Sequence, residues 1–239
     1  MKVLNDLLWD GDLKIYQDSE GFKFSLDSIL LSKFVTINER AKKILDIGTG
    51  NAPIPLMLSK RTKAKIVGIE IQEKSYMLAK ESVLYNNLEN QIDIKLGDIK
   101  DFNFENNYYD VIVCNPPYYK NDMIISKNDN KKIARSEENL DLNNLFRIAR
   151  KMLKNKGIIA IVIDSKRLGE VFNIAKENNF EIKKLQFVYP KIDRKSNIVL
   201  IEGKMNGNPG LSVLEPIIVQ DENNNYTKYI ENLLKNFEN

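Results

Sequence analysis

No histidine occurs anywhere in the 239 residues, and this absence removes a broad range of chemistry at once. Ser-His-Asp and Cys-His nucleophilic catalysis, histidine-held metals and any imidazole general base are excluded. The single cysteine, Cys114, rules out an internal disulfide framework, and its apolar neighbours put it in the core at a strand end. Zinc would have to be held by carboxylates almost alone, which is not how zinc is normally bound, so no metal is expected. No apolar run approaches the roughly 20 residues of a membrane span, and the opening MKVLNDLLWDGD is too acidic and too early broken for a secretory signal. A cytoplasmic protein with no membrane partner is expected. Charge is nearly balanced, 36 Lys and Arg against 33 Asp and Glu, so net charge alone does not mark a nucleic-acid binder. Chemistry must therefore run on carboxylates, amides, aromatics and backbone.

What is present is an alternation. With 43% apolar residues the chain can bury a substantial core. Lys43 to Ile47, Lys65 to Ile69, Ile92 to Leu96, Val111 to Cys114 and Ile158 to Ile163 read as strands, and residues 54 to 60, 73 to 87 and 141 to 154 carry helical spacing between them. This pattern predicts βαβ units and a mostly parallel sheet in an α/β fold. Ser165 to Asn178 reads as a further helix, and Ile182 to Tyr189 and Asn197 to Glu202 as closing strands. NGNPG, residues 206 to 210, breaks the pattern before a C-terminal extension. The expected organisation is one domain over 1–239, with a lead-in (1–39), a core (40–203) and an appendage (204–239).

The first core strand runs into LDIGTGNAPIPLML, residues 45 to 58. An acid, then Gly48-Thr49-Gly50, then a helix lets backbone approach a ligand closely. As a dinucleotide fingerprint it is defective, because Pro53 stands where G-x-G-x-x-G has its third glycine; a cofactor without pyrophosphate does not need that contact. The next strand ends at Glu70, where an acid can bind the hydroxyls of a ribose. The third leads to Gly97-Asp98-Ile99. Strand ends favour Asp and Gly as turn residues anyway, but three acids after three successive strands form a set. The set resembles the class I S-adenosylmethionine-dependent methyltransferases. The resemblance implies a Rossmann-like, doubly wound sheet of seven mostly parallel strands with an antiparallel closing strand, and S-adenosyl-L-methionine as cofactor. It also implies that Asp46, Gly48 and Gly50 line the methionine end, Glu70 binds the ribose, and Asp98 and Ile99 border the adenine.

The stretch CNPPYY, residues 114 to 119, follows the fourth strand. Two prolines end a strand and fix a rigid turn at the sheet edge where ligands bind. In the methyltransferase resemblance this segment carries the substrate, and N-P-P-Y looks like the motif of enzymes that methylate a planar amide or aromatic amine. An exocyclic adenine amine is a poor nucleophile because its lone pair is delocalised into the ring. Acceptors on its hydrogens, the Asn115 side-chain oxygen and the Pro116 carbonyl, favour a more tetrahedral nitrogen. Pro117 would hold them in fixed geometry, Tyr118 would stack on the base, and Asn115 would serve cofactor and substrate together. Read without the resemblance, the stretch is a tight strand exit with two half-buried tyrosines. N-P-P-Y alone does not separate adenine in DNA or RNA from the glutamine amide of release factors.

Two outer segments choose RNA. DSEGFKFSLDSILLSKF (18 to 34) and VYPKIDRKSNIVLIEGKMNGNPGLSVLEPIIV (188 to 219) resemble the lead-in and tail of the tRNA(Val)-type adenine N6-methyltransferases, which modify the adenine beside the anticodon. The release-factor enzymes carry a helical domain before the catalytic one, and only about forty residues precede the first strand here. In the resembling family Phe24, Leu26 and Asp27 close over the cofactor; read locally, Phe22, Phe24 and Leu26 alternate as a strand and Asp27 caps a helix from Ser28. Lys120, Lys127, Lys131, Lys132 and Arg135 after the motif, and Lys191, Arg194 and Lys195 between the closing strands, would form a phosphate-contacting rim for tRNA. Two departures stand out: Ser136 replaces the family's usual histidine, and Ala52 a common glycine.

Overall fold

The computed structural model describes residues 1–18, 26–102, 105–116 and 141–237. The chain begins with an antiparallel hairpin, β1 (Lys2–Asp6) and β2 (Lys14–Asp18), in register from Lys2 opposite Asp18 to Asp6 opposite Lys14. Then follow α1 (Leu26–Phe34), β3 (Lys43–Ile47), α2 (Pro53–Arg61), β4 (Lys65–Glu70), α3 (Glu73–Tyr85), β5 (Ile92–Leu96) and β6 (Tyr109–Cys114). The second half holds α4 (Leu142–Met152), β7 (Leu153–Asp164), α5 (Leu168–Glu177), β8 (Phe180–Tyr189), β9 (Ile198–Met205), two-residue β10 (Ser212–Val213) and β11 (Ile217–Ile218), and α6 (Lys228–Lys235).

Strands β3 to β7 form as continuous β-branched runs because both faces of the sheet are covered. The spatial order is β10-β8-β9-β7-β6-β3-β4-β5, with β11 also on β8. β3, β4, β5, β6 and β7 pair in parallel, whereas β9 runs antiparallel between β7 and β8. The seven strands expected are present, and the C-terminal segment adds the two short ones along the outer edge of β8. Because β9 is reversed, the β8–β9 turn, residues 190–197, emerges at the same sheet edge as the carboxyl ends of β3 to β7.

Alternation along each strand divides two apolar layers. Ile44, Val111, Val113, Ala160 and Val162 face α1, α2, α3, α6 and the hairpin. Leu45, Ile47, Ile112, Cys114, Ile159 and Ile161 face α4 and α5. The C-terminal segment joins the first layer, since Ile230, Leu233, Leu234 and Phe237 are buried with Leu7 and Leu8 and the Trp9 N–H donates to the Leu234 carbonyl at 2.8 Å.

Helix α1 begins at Leu26, which puts Asp27 inside its first turn, favourable to the helix dipole, rather than at the cap. Phe22 and Phe24 lie outside the described residues. The hairpin has a helix as its platform. β2 lies along α3, with Lys14 N–H donating to Asn86 Oδ1 at 3.0 Å and Tyr16 N–H to Ser82 Oγ at 2.9 Å. Ser82 is fully buried, so Ser82→Ala strands the Tyr16 N–H. A loss of about 1–2 kcal/mol is expected, read as a lower urea midpoint with unchanged slope. Among the described residues no helix is long and apolar enough to cross a membrane.

Candidate functional site

The carboxyl ends of four adjacent strands, β6, β3, β4 and β5, carry Asn115, Asp46, Glu70 and Gly97-Asp98 in that spatial order. Three strand spacings make this a row about 14 Å long. Register locks it, with Asp46 beside Val113 and Gly68, and Glu70 beside Leu96. The bland alternative, strand ends that merely turn, does not account for how these groups are joined.

The glycine turn is bonded across to β4. Gly48 and Thr49 N–H both donate to the Ile69 carbonyl at 2.9 Å, and Gly50 N–H donates to Glu70 Oε2 at 2.8 Å. Glu70 Oε1 accepts from Gln72 N–H at 2.8 Å. Gly48 and Gly50 have φ of +72° and +58°, and a methyl built on either would meet nothing within 4 Å. Backbone conformation therefore favours glycine at both positions, while the space above them is open to a ligand. Ala52 also takes the left-handed conformation, φ +71°, which explains why glycine suits that position. Its strain of about 1–2 kcal/mol is partly offset by the methyl's burial in the core, which contributes about 0.8 kcal/mol.

Asp46 is fully buried. Burial pushes its carboxyl up from 3.8 to about 7, the Thr49 hydroxyl opposing and the Glu70 charge adding to the rise. Thr49 Oγ1 donates to Oδ2 at 2.6 Å, leaving Oδ1 buried with no hydrogen-bond partner among the described residues. Burial likewise raises Glu70, against the pull of the Gln72, Gly50 and Ile71 N–H groups. Cys114, buried near Asp46, is pushed well above the usual thiol range by desolvation and by the Asp46 charge. It is an inert core thiol, as its sequence context implies.

Asn115 sits half-buried just past β6. Its Nδ2 donates to Ser28 Oγ on α1 at 3.0 Å, and Ser28 is itself held in the helix that Ser32 Oγ braces by donating to the Ser28 carbonyl at 2.7 Å. The Asn115 Oδ1 is buried and has no partner among the described residues. One amide is thus anchored by its donor end and left with a bare acceptor.

The remaining expected residues are distributed unevenly. Asp98 is half-exposed, and its Oδ1 accepts from Lys100 N–H at 3.0 Å, a turn-forming bond. Ile99 is buried in the second layer with Ile69, Asp27 is half-buried at the start of α1, and Pro116 is half-buried. Pro117, Tyr118, Lys120, Lys127, Lys131, Lys132, Arg135 and Ser136 lie outside the described residues. Arg194 is exposed in the 190–197 turn beside Asp193 at 3.7 Å, and the Lys191 ammonium donates to the Glu222 carbonyl. Sequence reading missed Ser28 and Thr49. Thr49 lay inside the quoted motif, but Ser28 is 87 residues from Asn115, and no local signal joins them.

Chemically, the edge presents a buried acceptor for an ammonium (Asp46), a carboxylate with lone pairs for hydroxyls (Glu70), and a fixed acceptor for an N–H (Asn115). Among the described residues no group of acids and cysteine is arranged to hold a metal.

The family model that matches residues 26–184 is described as the methyltransferase small domain. A tRNA1(Val) (adenine(37)-N6)-methyltransferase of Parabacteroides distasonis is 30% identical over 189 residues, 79% of each chain. Its namesake in Flavobacterium psychrophilum is 27% identical over 230 residues, 93% of this chain and 95% of that one. In fold, the chain is similar to a predicted O-methyltransferase from Agrobacterium tumefaciens, with a TM-score of 0.69, 16% identity, and coverage of 89% and 96%. It is also similar to a geranyl diphosphate C-methyltransferase from Streptomyces coelicolor in complex with Mg2+, geranyl diphosphate and S-adenosyl-L-homocysteine. There the TM-score is 0.57, the identity 11%, and the coverage 75% and 76%.

Proposed function

Because this chain belongs to the methyltransferase small domain family, in company with the tRNA1(Val) adenine N6-methyltransferases, we propose that it methylates N6 of adenine 37, beside the anticodon of a tRNA1(Val). It is an S-adenosylmethionine-dependent tRNA adenine N6-methyltransferase. The observation that carries the residue assignment is the anchored Asn115 amide, its Nδ2 on Ser28 and its buried Oδ1 unpaired.

The residues present fit the cofactor. The unpaired Asp46 Oδ1 suits the methionine ammonium, the open space over Gly48 and Gly50 suits close approach of backbone, and Glu70 suits the ribose hydroxyls. Asp98 and Ile99, at the end of β5, border the adenine in this reading, and Asp27 lies on the α1 side. When bound, S-adenosyl-L-methionine supplies an electrophilic methyl on a positively charged sulfur.

The chain's own work is orientation. Asn115 Oδ1 accepts one N–H of the adenine amine and the Pro116 carbonyl the other, which draws the nitrogen lone pair out of the ring. Pro117 and Tyr118 complete the motif, and Tyr118 is assigned to stacking on the base after it leaves its loop, a contact worth about 1–3 kcal/mol. An alkylated nitrogen is far more acidic than the amine, so its proton passes to solvent without an imidazole. This is chemistry that a chain lacking histidine can perform. Lys120, Lys131, Lys132, Arg135 and Arg194 are assigned to tRNA phosphates. Emergence of the 190–197 turn at the site edge supports the part played by Arg194. The packing of α6 beneath the hairpin supports treating 1–239 as one methyltransferase domain.

The test is transfer of labelled methyl from S-adenosylmethionine to total tRNA lacking the modification, followed by digestion and nucleoside mapping. Label in N6-methyladenosine at position 37 of tRNA1(Val) is expected. Cofactor binding without label in any tRNA would overturn the substrate and redirect the search to protein glutamine and to adenine in ribosomal RNA or DNA.

A further inference from the structure

We propose that Gln17, on the N-terminal hairpin, is a cofactor-binding residue whose side-chain amide donates to the carboxylate of the methionine end. The proposal rests on the cofactor reading above and assigns that site a residue from outside the core strands.

Three buried side-chain polar atoms lack a hydrogen-bond partner among the described residues: Asp46 Oδ1, Asn115 Oδ1 and Gln17 Nε2. The first two belong to the site, and topology carries the third to the same place. β2 runs antiparallel along α3, its Lys14 at Asn86, its Tyr16 at Ser82 and its Asp18 at Lys74. Its end therefore lies at the N-terminus of α3, directly after Glu70. The Tyr16 carbonyl accepts from Asn51 Nδ2 at 2.8 Å, tying the strand to the residue that follows Gly50. Alternation gives the same answer. Gln17 shares its side of β2 with Ile15, which packs in the layer holding Ile44, Val111 and Val113. Asp46 and Asn115 continue the alternation of those strands on that face.

Gln17 is only 5% exposed. Its Oε1 accepts from Asn5 Nδ2 at 2.8 Å, which orients the amide so that its NH2 group is the end left without a partner among the described residues. A buried donor without a partner is costly unless a ligand brings the acceptor. The methionine end of the cofactor is a zwitterion. Asp46 offers the only kind of group that suits its ammonium, an acceptor, and Gln17 offers what suits its carboxylate, a neutral donor that can be buried with no desolvated charge of its own.

The experiment is calorimetric titration of the full chain with S-adenosylhomocysteine and with its decarboxylated analogue, for the wild type, Gln17→Leu and Gln17→Glu. The wild type is expected to prefer S-adenosylhomocysteine. Gln17→Leu should weaken that ligand about ten- to hundredfold, the loss of a hydrogen bond to a charged group, and leave the decarboxylated analogue within about threefold. Gln17→Glu keeps the oxygen that Asn5 uses, so the hairpin bond survives, yet it should lose S-adenosylhomocysteine at least as severely by charge repulsion. Equal losses for both ligands, no loss, or a wild type indifferent to the carboxylate would each overturn the role of Gln17. A wild type that binds neither ligand would instead overturn the cofactor reading.

Discussion

Asn115→Ala is expected to lower methyl transfer about 10²- to 10³-fold, the loss seen when one preorganised hydrogen-bonding group is removed from a reacting centre, while S-adenosylhomocysteine binding stays within about threefold. The asymmetry follows from the geometry. Nδ2 is committed to Ser28 Oγ at 3.0 Å, so the variant loses a fixed acceptor and little of the proposed cofactor cradle at the ends of β3 and β4. Ser28→Ala makes a useful companion. It leaves the acceptor in place but frees the amide to rotate, and a smaller drop, about tenfold, is expected in turnover. Single-turnover rates with saturating cofactor give both numbers. Near-normal turnover in Asn115→Ala would remove the residue from the chemistry.

Asp46→Asn should stabilise the ligand-free protein at pH 8 and cripple cofactor binding. Burial first, and then the Glu70 charge, raise the Asp46 carboxyl from 3.8 to about 7, with the Thr49 hydroxyl opposing. The folded state thus holds this proton more tightly than the unfolded chain. Stability from this group is greatest below about pH 4, declines as pH rises toward 7 and is flat above. Asparagine carries no such burden. At pH 8 the variant should be more stable than the wild type by ~2–4 kcal/mol, with the gap closing by pH 4. In the same variant S-adenosylhomocysteine should bind at least about tenfold more weakly, since the ammonium loses an ionised partner. Wild-type affinity should climb between about pH 5 and 7 as Asp46 ionises. Urea midpoints across this range decide the matter: a variant less stable than the wild type at pH 8 would mean that the buried carboxylate is stabilised when charged.

Much of this edge could be read before any coordinates, because a strand's carboxyl end is a local property. Asp46, Glu70 and Asp98 each lie at or just past the end of an apolar run, and a parallel sheet aligns those ends whatever the helices do. The glycine turn was legible for the same reason. The hairpin was not, because KVLND and KIYQD are short and half polar; the second becomes a strand against α3, whose Ser82 and Asn86 receive it, and the first pairs with the second. Nor was the partnership of Ser28 with Asn115, which depends on how α1 crosses the sheet. The departure at Ala52 was visible in the sequence, but its meaning required φ: a left-handed residue whose methyl is stabilised by the core.

The reversed strand β9 joins a fixed part of this molecule to an exposed one. Its ladder with β7, from Asp164 opposite Ile198 to Ile158 opposite Lys204, is fixed by buried side chains and tolerates no slippage. The turn it returns from begins beyond that ladder, at the sheet edge that carries Asp46, Glu70 and Asn115. Ile192, Asp193, Arg194 and Lys195 at its tip are exposed and can be exchanged without moving a core contact, whereas Pro190, Ser196 and Asn197 are tied by hydrogen bonds to Gln220, Val188 and Ser165, so variation in this turn is confined to its tip.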